Sequence, residues 1–366
     1  MKILHVITSL LPGGAEKLVA DLLPRLQAKG HEVELLLLDG TQAPFLEQVR
    51  AGGIPVHISA VGVNVYHPRH IFPLRRLLPR FDIVHTHNTA PQFFAAFLQP
   101  WYRKKVFCTT EHSTSNRRRG KSWCKPIDKW MYARYDAVVC ISEQAEHNLR
   151  DYLKREDDRI CTIYNGVDVR RYAQATASPA LRAASREHVL MMAGRLILPK
   201  DQDTLIRSMS LLPDDYELWL AGDGPRRGEL EQLARQEGVA DRVKFLGFRT
   251  DMPELLKAAD IIVMSSHYEG LSLANLEGMA AGRPFVASDV DGLREVTAGA
   301  GILFPHEDAA ALAHEVQRLA TDRSYYYEIA DRCQRRAEEY DISWMVERYD
   351  ELYRRLKAEK NNRSGK

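Results

Sequence analysis

The chain lacks most of what specialised folds require. Its 366 residues hold five cysteines, Cys108, Cys124, Cys140, Cys161 and Cys333, an odd count with no Cys-x-x-Cys pair. Neither a disulfide framework nor a cysteine zinc site is expected, and a reducing compartment fits. Cys108, Cys140 and Cys161 fall in or beside apolar strand-like runs and read as small buried hydrophobes. No apolar stretch approaches the roughly 18 residues needed to span a bilayer. The opening Met1-Lys2-Ile3-Leu4-His5-Val6-Ile7-Thr8 is too short and too broken by polar residues for a signal peptide, and reads as a first strand. The dinucleotide fingerprint G-x-G-x-x-G does not follow it. The reading finds neither an Asp-x-Asp motif nor a His/Cys cluster with ligand spacing, so no metal is expected.

Charge is nearly balanced, at +2 overall, with 27% charged residues. It is unevenly spread. Between Arg103 and Tyr135 stand ten Lys/Arg against Glu111 and Asp128, punctuated by Trp123, Trp130 and Tyr132. Such a stretch suits anionic lipid headgroups or a phosphorylated acceptor, or is simply a solvated basic face. No recognisable nucleic-acid module accompanies it.

What the chain does have is strand–helix alternation, twice over. The first series reads as strands at Lys2–Thr8, Glu32–Leu38, Asp82–Thr86, Val106–Thr110, Ala137–Ile141 and Ile160–Tyr164, with helices at Ala15–Gln27 and Glu143–Leu153. After the polar, alanine-rich bridge 173–185 it restarts, with strands at His188–Ala193, Glu217–Ala221, Val243–Leu246, Asp260–Met264, Pro284–Ser288 and Gly301–Phe304. Helices intervene at Asp203–Leu212, Gly228–Glu237, Met252–Ala258, Leu273–Ala281 and Ala309–Thr321, and Ser343–Lys357 is a further amphipathic helix. Short apolar runs alternating with helices call for parallel sheets covered on both faces. The expectation is an α/β protein of two doubly wound Rossmann-like domains facing a central cleft, 1–170 and 171–342. Ligands of such sheets bind at strand C-terminal ends, where topology switches.

The most telling motif is Glu269-Gly270-Leu271-Ser272-Leu273-Ala274-Asn275-Leu276-Glu277. Ser272 is placed to cap a helix from Leu273 onward, and the amides of Leu273 and Ala274 then favour an anion. One glutamate lies beside that anion and the other about 7.5 Å along the helix. That suits a ligand with hydroxyls on both sides of a diphosphate, or an amphipathic helix with one exposed and one partly buried glutamate. Gly13 and Gly14 let the backbone pass close to a ligand. Arg195 and Lys200, on one strand-end loop, can grip a diphosphate or stand exposed. Ala221-Gly222-Asp223-Gly224-Pro225 makes a sharp connection, and Gly247-Phe248-Arg249 ends the next strand, which places Phe248 and Arg249 as candidates to flank a base. In the first half His112, His85 and His87 end strands and could meet a sugar hydroxyl.

In sum the motifs, in order along almost the whole chain, resemble retaining nucleotide-sugar glycosyltransferases of family 4 with the GT-B fold. They are Gly13-Gly14-Ala15-Glu16, Glu111-His112, Ile141-Ser142-Glu143, Tyr164-Asn165-Gly166-Val167-Asp168, Gly194-Arg195 with Lys200, Ala221 to Pro225, Glu269 to Glu277, and Ala281-Gly282-Arg283-Pro284. The resemblance implies that Arg195 and Lys200 bind the donor diphosphate with the backbone of Gly14, Leu273 and Ala274. Glu277 would hold the ribose, Glu269 with the backbone of Leu271 and Ser272 the transferred sugar, and His112 would sit at its reacting face. Gly13, Gly224, Phe248 and Arg249 complete the donor side, and His87, Arg117, Arg118 and Arg119 are acceptor-side candidates. The final segment 343–366 would cross back to the first domain. The Phe-Gly that often follows the first glutamate is replaced by Leu271-Ser272, which leaves the sugar open.

The resemblance thus implies metal-free transfer from a nucleoside diphosphate sugar, a UDP-sugar above all, to a carbohydrate or lipid-linked hydroxyl in bacterial surface polysaccharide or glycolipid synthesis. The setting is cytoplasmic, at the inner membrane face, without nucleic acid. A nucleotide-sugar epimerase and an inactive sugar-binding scaffold are the alternatives.

Overall fold

The computed structural model describes residues 1–112, 121, 123–154, 157–177 and 179–364. The chain forms two compact units, Met1–Asn165 with Ser343–Lys366, and Gly166–Ile342.

The first unit is built on seven strands: β1 (Lys2–Ile7), β2 (Glu32–Asp39), β3 (Val56–Ala60), β4 (Ile83–His87), β5 (Val106–Glu111), β6 (Ala137–Cys140) and β7 (Ile160–Thr162). Their order is β3-β2-β1-β4-β5-β6-β7, and every pairing is parallel. Parallel neighbours need crossover helices, which cover both faces and explain why β4, β5 and β6 are buried at every position. The order reverses between β1 and β4, whose register sets His5 beside His85.

The sequence reading omits β3 and the helices Pro44–Ala51, Thr89–Leu98 and Cys124–Tyr132. β3 is an edge strand with no fully buried residue, so its apolar pattern is weak. The last helix runs Ile342–Ser364, longer than expected. It buries Met345, Val346, Tyr349, Leu352, Tyr353 and Leu356, one stripe at helical spacing. Tyr349 Oη lies 3.0 Å from Thr110 Oγ1 and Lys357 Nζ 2.8 Å from Asp82 Oδ1, so this helix belongs to the first unit's core.

The second unit has β8 (His188–Ala193), β9 (Tyr216–Ala221), β10 (Val243–Gly247), β11 (Ile261–Met264), β12 (Phe285–Ser288) and β13 (Ile302–Phe304). The order is β10-β9-β8-β11-β12-β13, again all parallel, with the reversal between β8 and β11. The bridge holds a short helix, Pro179–Ala183, and the polar helix Arg323–Glu338 buries only Ile329, Ala330, Cys333 and Ala337.

Candidate functional site

In the second unit the motifs converge at the strand C-terminal ends beside the β8/β11 reversal, where open α/β sheets bind ligands. Gly194, Arg195 and Leu196 follow β8 and are stitched to the loop after β9. Leu196 N–H donates to Asp223 O at 3.1 Å and Arg226 N–H to Leu196 O at 3.1 Å. Gly222 has φ 145°, and a Cβ there would lie 2.0 Å from Gly194 O. At Gly224 it would lie 2.4 Å from Leu196 O. Both glycines are thus required by close backbone approach.

The loop after β11 is anchored as firmly. His267 N–H donates to Pro199 O (2.9 Å), Ser265 Oγ–H to Asp201 O (2.6 Å) and Ser288 Oγ–H to Ser266 O (2.6 Å). Gly292, at φ 82°, abuts Glu269, and a Cβ would meet Glu269 O at 2.3 Å. These ties set Lys200 Nζ 2.5 Å from Glu269 Oε1, which also accepts from Ser266 Oγ at 2.7 Å. The side chains are only 18% and 12% exposed. Lysine carries three donors, so Lys200 can hold Glu269 and still offer hydrogens to an anion. Arg195 is exposed, and its guanidinium has no partner among the described residues.

Ser272 occupies the expected cap position of the helix Leu273–Ala280, but its hydroxyl makes no capping bond. It turns toward Met264 Sδ at 3.7 Å instead. The helix start is therefore left without side-chain capping. Leu271 and Leu273 are buried, Ala274 is half-buried, and Glu277 sits buried along the helix at 5% exposure. Gly278 lets this helix approach the sheet, since a Cβ would lie 2.8 Å from both Ile262 Cγ2 and Phe285 Cε2. Phe248 is 41% exposed, whereas Arg249 is held in its own loop by Asp251, at 2.8 and 2.5 Å.

In the first unit Gly13 precedes the helix Gly14–Ala28. A Cβ on Gly13 would lie 2.2 Å from Glu16 Oε2, so this carboxylate folds back over the turn, where Asn88 Nδ2 donates to its Oε1 at 3.3 Å. Gly14 is open on its Cβ side.

Beside this turn, four histidines line up. His5 Nδ1 is 3.0 Å from His87 Nε2, and His87 Nδ1 is 2.9 Å from His112 Nε2. His85 bonds Tyr353 Oη (2.5 Å) and Thr110 Oγ1 (2.8 Å). Burial lowers every one of these imidazoles, His5 to about 3, His112 to about 4, and His85 and His87 well below the usual range. All are neutral at physiological pH. The sequence reading names His85, His87 and His112 but misses His5, which stands out only once the β1–β4 register is known. Arg117, Arg118 and Arg119 lie outside the described residues.

Groupings unseen in the sequence also bear on metal binding. His5, His85 and His87 converge closely enough to hold an ion. Of their six ring nitrogens only His5 Nε2 lacks a hydrogen bond, and the His85 and His87 rings are stacked at 4.4 Å. Stacked, hydrogen-bonded rings do not direct lone pairs at one point. Asp201, His267 and His306 also approach one another, but His267 Nδ1 is already 2.7 Å from His306 Nε2. Glu187, His188 and Asp215 form a third, looser grouping, with His188 Nε2 3.9 Å from Asp215 Oδ2. The expectation that the chain has no Asp-x-Asp triplet is wrong: it carries two, Asp201-Gln202-Asp203 and Asp289-Val290-Asp291. Asp201 caps Thr204, Asp203 grips Arg226 at 2.7 and 2.9 Å, and Asp289 pairs with Arg294 at 2.5 Å.

Two parallel Rossmann-like units, the second with Arg195, Lys200, Glu269 and Glu277 at and beyond its strand ends, define a GT-B glycosyltransferase. The model for Glycosyltransferase Family 4 matches residues 12–171, and that for Glycosyl transferases group 1 matches residues 187–322. The chain belongs to this family 4 group of glycosyltransferases. It is 27% identical over 330 residues to an uncharacterized glycosyltransferase of Methanocaldococcus jannaschii, covering 80% of this chain and 81% of the relative. It is 24% identical to the N-acetyl-alpha-D-glucosaminyl L-malate synthase of Bacillus anthracis, covering 93% of each. The crystal structure of HepE from Anabaena in complex with UDP-glucose superposes with a TM-score of 0.84 at 22% identity, over 96% of this chain and 99% of that one.

Proposed function

We propose that the protein transfers a sugar, with retention of configuration, from a nucleoside diphosphate sugar to a hydroxyl of a carbohydrate or lipid-linked acceptor. A UDP-sugar is the favoured donor, and bacterial surface polysaccharide or glycolipid synthesis the favoured setting. The observation that carries this reading is the Lys200–Glu269 contact at 2.5 Å beside the exposed Arg195, which has no side-chain partner among the described residues. Cation and carboxylate are held as one unit, so a diphosphate on the cations brings its sugar hydroxyls to the glutamate. The complex of HepE with UDP-glucose supports the choice of donor.

In this reaction the bond from the anomeric carbon to the diphosphate oxygen breaks, and a bond to the acceptor oxygen forms on the same face. The acceptor's proton passes to the departing diphosphate oxygen. Negative charge grows on that oxygen, where Arg195, Lys200 and the amides of Leu273 and Ala274 stabilise it, so no metal is required. Glu277 holds the ribose, and Glu269 holds sugar hydroxyls rather than attacking carbon. His112 acts as a neutral donor or acceptor.

The test is product analysis with UDP-sugars, each with and without acceptor, in the presence of a chelator. Transfer to acceptor with the anomeric configuration kept is the expected result. Conversion of donor alone would replace this reading with an epimerase. Arg195→Ala should lower kcat/KM by about 100-fold or more without lowering the melting temperature. Near-normal kinetics would remove Arg195 from the mechanism.

A further inference from the structure

At the C-terminal edge of the second unit's sheet, three loops bring two imidazoles and two carboxylates together. Asp201 closes the loop after β8, His267 follows β11, and His306 and Glu307 follow β13. His267 Nδ1 is 2.7 Å from His306 Nε2, 3.4 Å from Glu307 Oε1 and 4.0 Å from Asp201 Oδ2. His306 Nε2 is 4.0 Å from Glu307 Oε1. The Asp201 carboxylate is the group that points to a ligand. It is 3% exposed, and Thr204 N–H donates to its Oδ1 at 3.3 Å, which fixes its orientation. Its Oδ2 is buried with no hydrogen-bond partner among the described residues. Burial also raises this carboxyl above the usual carboxylate range. An unpaired carboxylate oxygen in such a place is costly, and a cation bound to it removes the cost.

As it stands, the 2.7 Å contact between the imidazoles is one hydrogen bond, with one ring donating to the other. A cation needs both lone pairs instead. Neither His267 Nε2 nor His306 Nδ1 is hydrogen-bonded among the described residues, so the shared proton can sit on the outer nitrogen of its ring. The two rings are nearly perpendicular, at 87°, and can direct in-plane lone pairs at one point, as the stacked His85 and His87 cannot. Zinc bonds of about 2.0–2.2 Å in tetrahedral array set neighbouring ligand atoms about 3.3 Å apart. The closest pair here would open and the widest pairs would close by only about 0.6 Å each to reach that spacing. His306 and Glu307 are partly open to solvent, which provides the entry path.

We propose that Asp201, His267, His306 and Glu307 form a binding site for a zinc-class divalent transition-metal ion. Two imidazole nitrogens with two carboxylate oxygens suit zinc and its neighbours, whereas magnesium and calcium take oxygen ligands. Four protein ligands without an open position make a structural site rather than a catalytic one. Asp201 follows Lys200, and His267 stands two residues before Glu269, so the ion braces the loops that carry the Lys200–Glu269 contact. It takes no part in the transfer step proposed above, and the site does not depend on that reading.

The experiment is calorimetric titration of the purified, untagged, chelator-stripped full chain with zinc chloride, with thermal unfolding in zinc, magnesium or calcium. One zinc per chain should bind, and the melting temperature should rise with zinc alone and fall back on adding chelator. Cobalt(II) in place of zinc should show the visible absorption of a four-coordinate site. His306→Gln, and Asp201→Asn with its capping oxygen kept, should each weaken zinc binding by more than the roughly 10–100-fold that losing a ligand's supporting partner costs. Both should remove the cobalt band. His188→Gln, at the looser grouping with Glu187 and Asp215, should change neither. Without metal, His306→Gln should keep the wild-type melting temperature and transfer rate. No zinc binding, an equal melting response to magnesium, or undiminished binding by His306→Gln overturns the proposal. Zinc-dependent transfer would uphold the site and overturn the metal-free reaction, and transfer without zinc binding would do the reverse.

Discussion

His5 illustrates how much one residue's surroundings decide. It is wholly buried between β2 and β4, with Nδ1 on His87 and Nε2 unpartnered. Desolvation holds its pKa at about 3, so the folded chain refuses a proton that the unfolded chain accepts near the ordinary value of about 6.5. The stabilisation is complete above that ordinary value and is lost as pH falls from there toward 3, because the unfolded state then binds the extra proton. By pH 4.5 the loss from this residue alone is about 3 kcal/mol. The measurement is denaturant unfolding of wild type and His5→Gln from pH 7 to 4.5. Carboxylates contribute alike to both proteins, so the wild-type stability should fall about 3 kcal/mol further. Parallel curves would show that the His5 proton affinity is ordinary. His112, lowered to about 4 by the same cause, stays neutral across physiological pH and should impose no histidine titration on turnover.

Among the elements, the strand-end loops depend on glycine more than their sequence suggests. Gly292→Ala forces a Cβ into the Glu269 and Gly270 carbonyls, at 2.3 and 2.7 Å, from a backbone with φ 82°. It should cost about 2 kcal/mol or more of stability, and it should lower turnover by displacing Glu269. Gly228→Ala is the control: no atom lies within 4 Å of the new methyl, and the site is inside the helix Arg227–Gln236, so stability should hold or rise by about 0.5–1 kcal/mol. Thermal unfolding and steady-state kinetics of both variants decide the matter, and a benign Gly292→Ala would mean that the loop yields. The parallel strands were readable because burial on both faces writes them as continuous apolar runs. The helix Arg323–Glu338 was not, since three consecutive tyrosines and many charges mask its narrow buried stripe. Ser272 was readable as a cap position but not as a capping side chain, because the Met264 sulfur that draws its hydroxyl away arrives from β11. The Lys200–Glu269 contact joins residues 69 apart, and only the strand order β8-β11 brings them together.

On the scale of the whole molecule, the two units differ in how the chain builds them. Gly166–Ile342 is continuous, whereas the first unit takes Met1–Asn165 from one end and Ser343–Lys366 from the other. The returning helix does more than cover a surface. Tyr353 is completely buried and hydrogen bonds His85, Tyr349 bonds Thr110, and Asp350 meets His31 Nε2 at 2.8 Å. Removing it uncovers two large aromatic side chains' worth of core, about 150–250 Å² for each ring, and strips partners from His85, Thr110 and His31, which would remain in the sheet or beside it. Loss on that scale exceeds the stability margin of a typical domain, about 5–15 kcal/mol, once the leucine and methionine contacts of the same stripe are added. A fragment of residues 1–165 should therefore fail to fold cooperatively, while residues 166–342 should retain secondary structure and a sharp thermal transition. Adding 343–364 in trans as a separate peptide should restore part of the first fragment's structure. Circular dichroism melts of the three samples make the comparison. A cooperative transition in 1–165 alone would show that the last helix is an attachment to a finished sheet, and that the histidine row stands without its tyrosine partner.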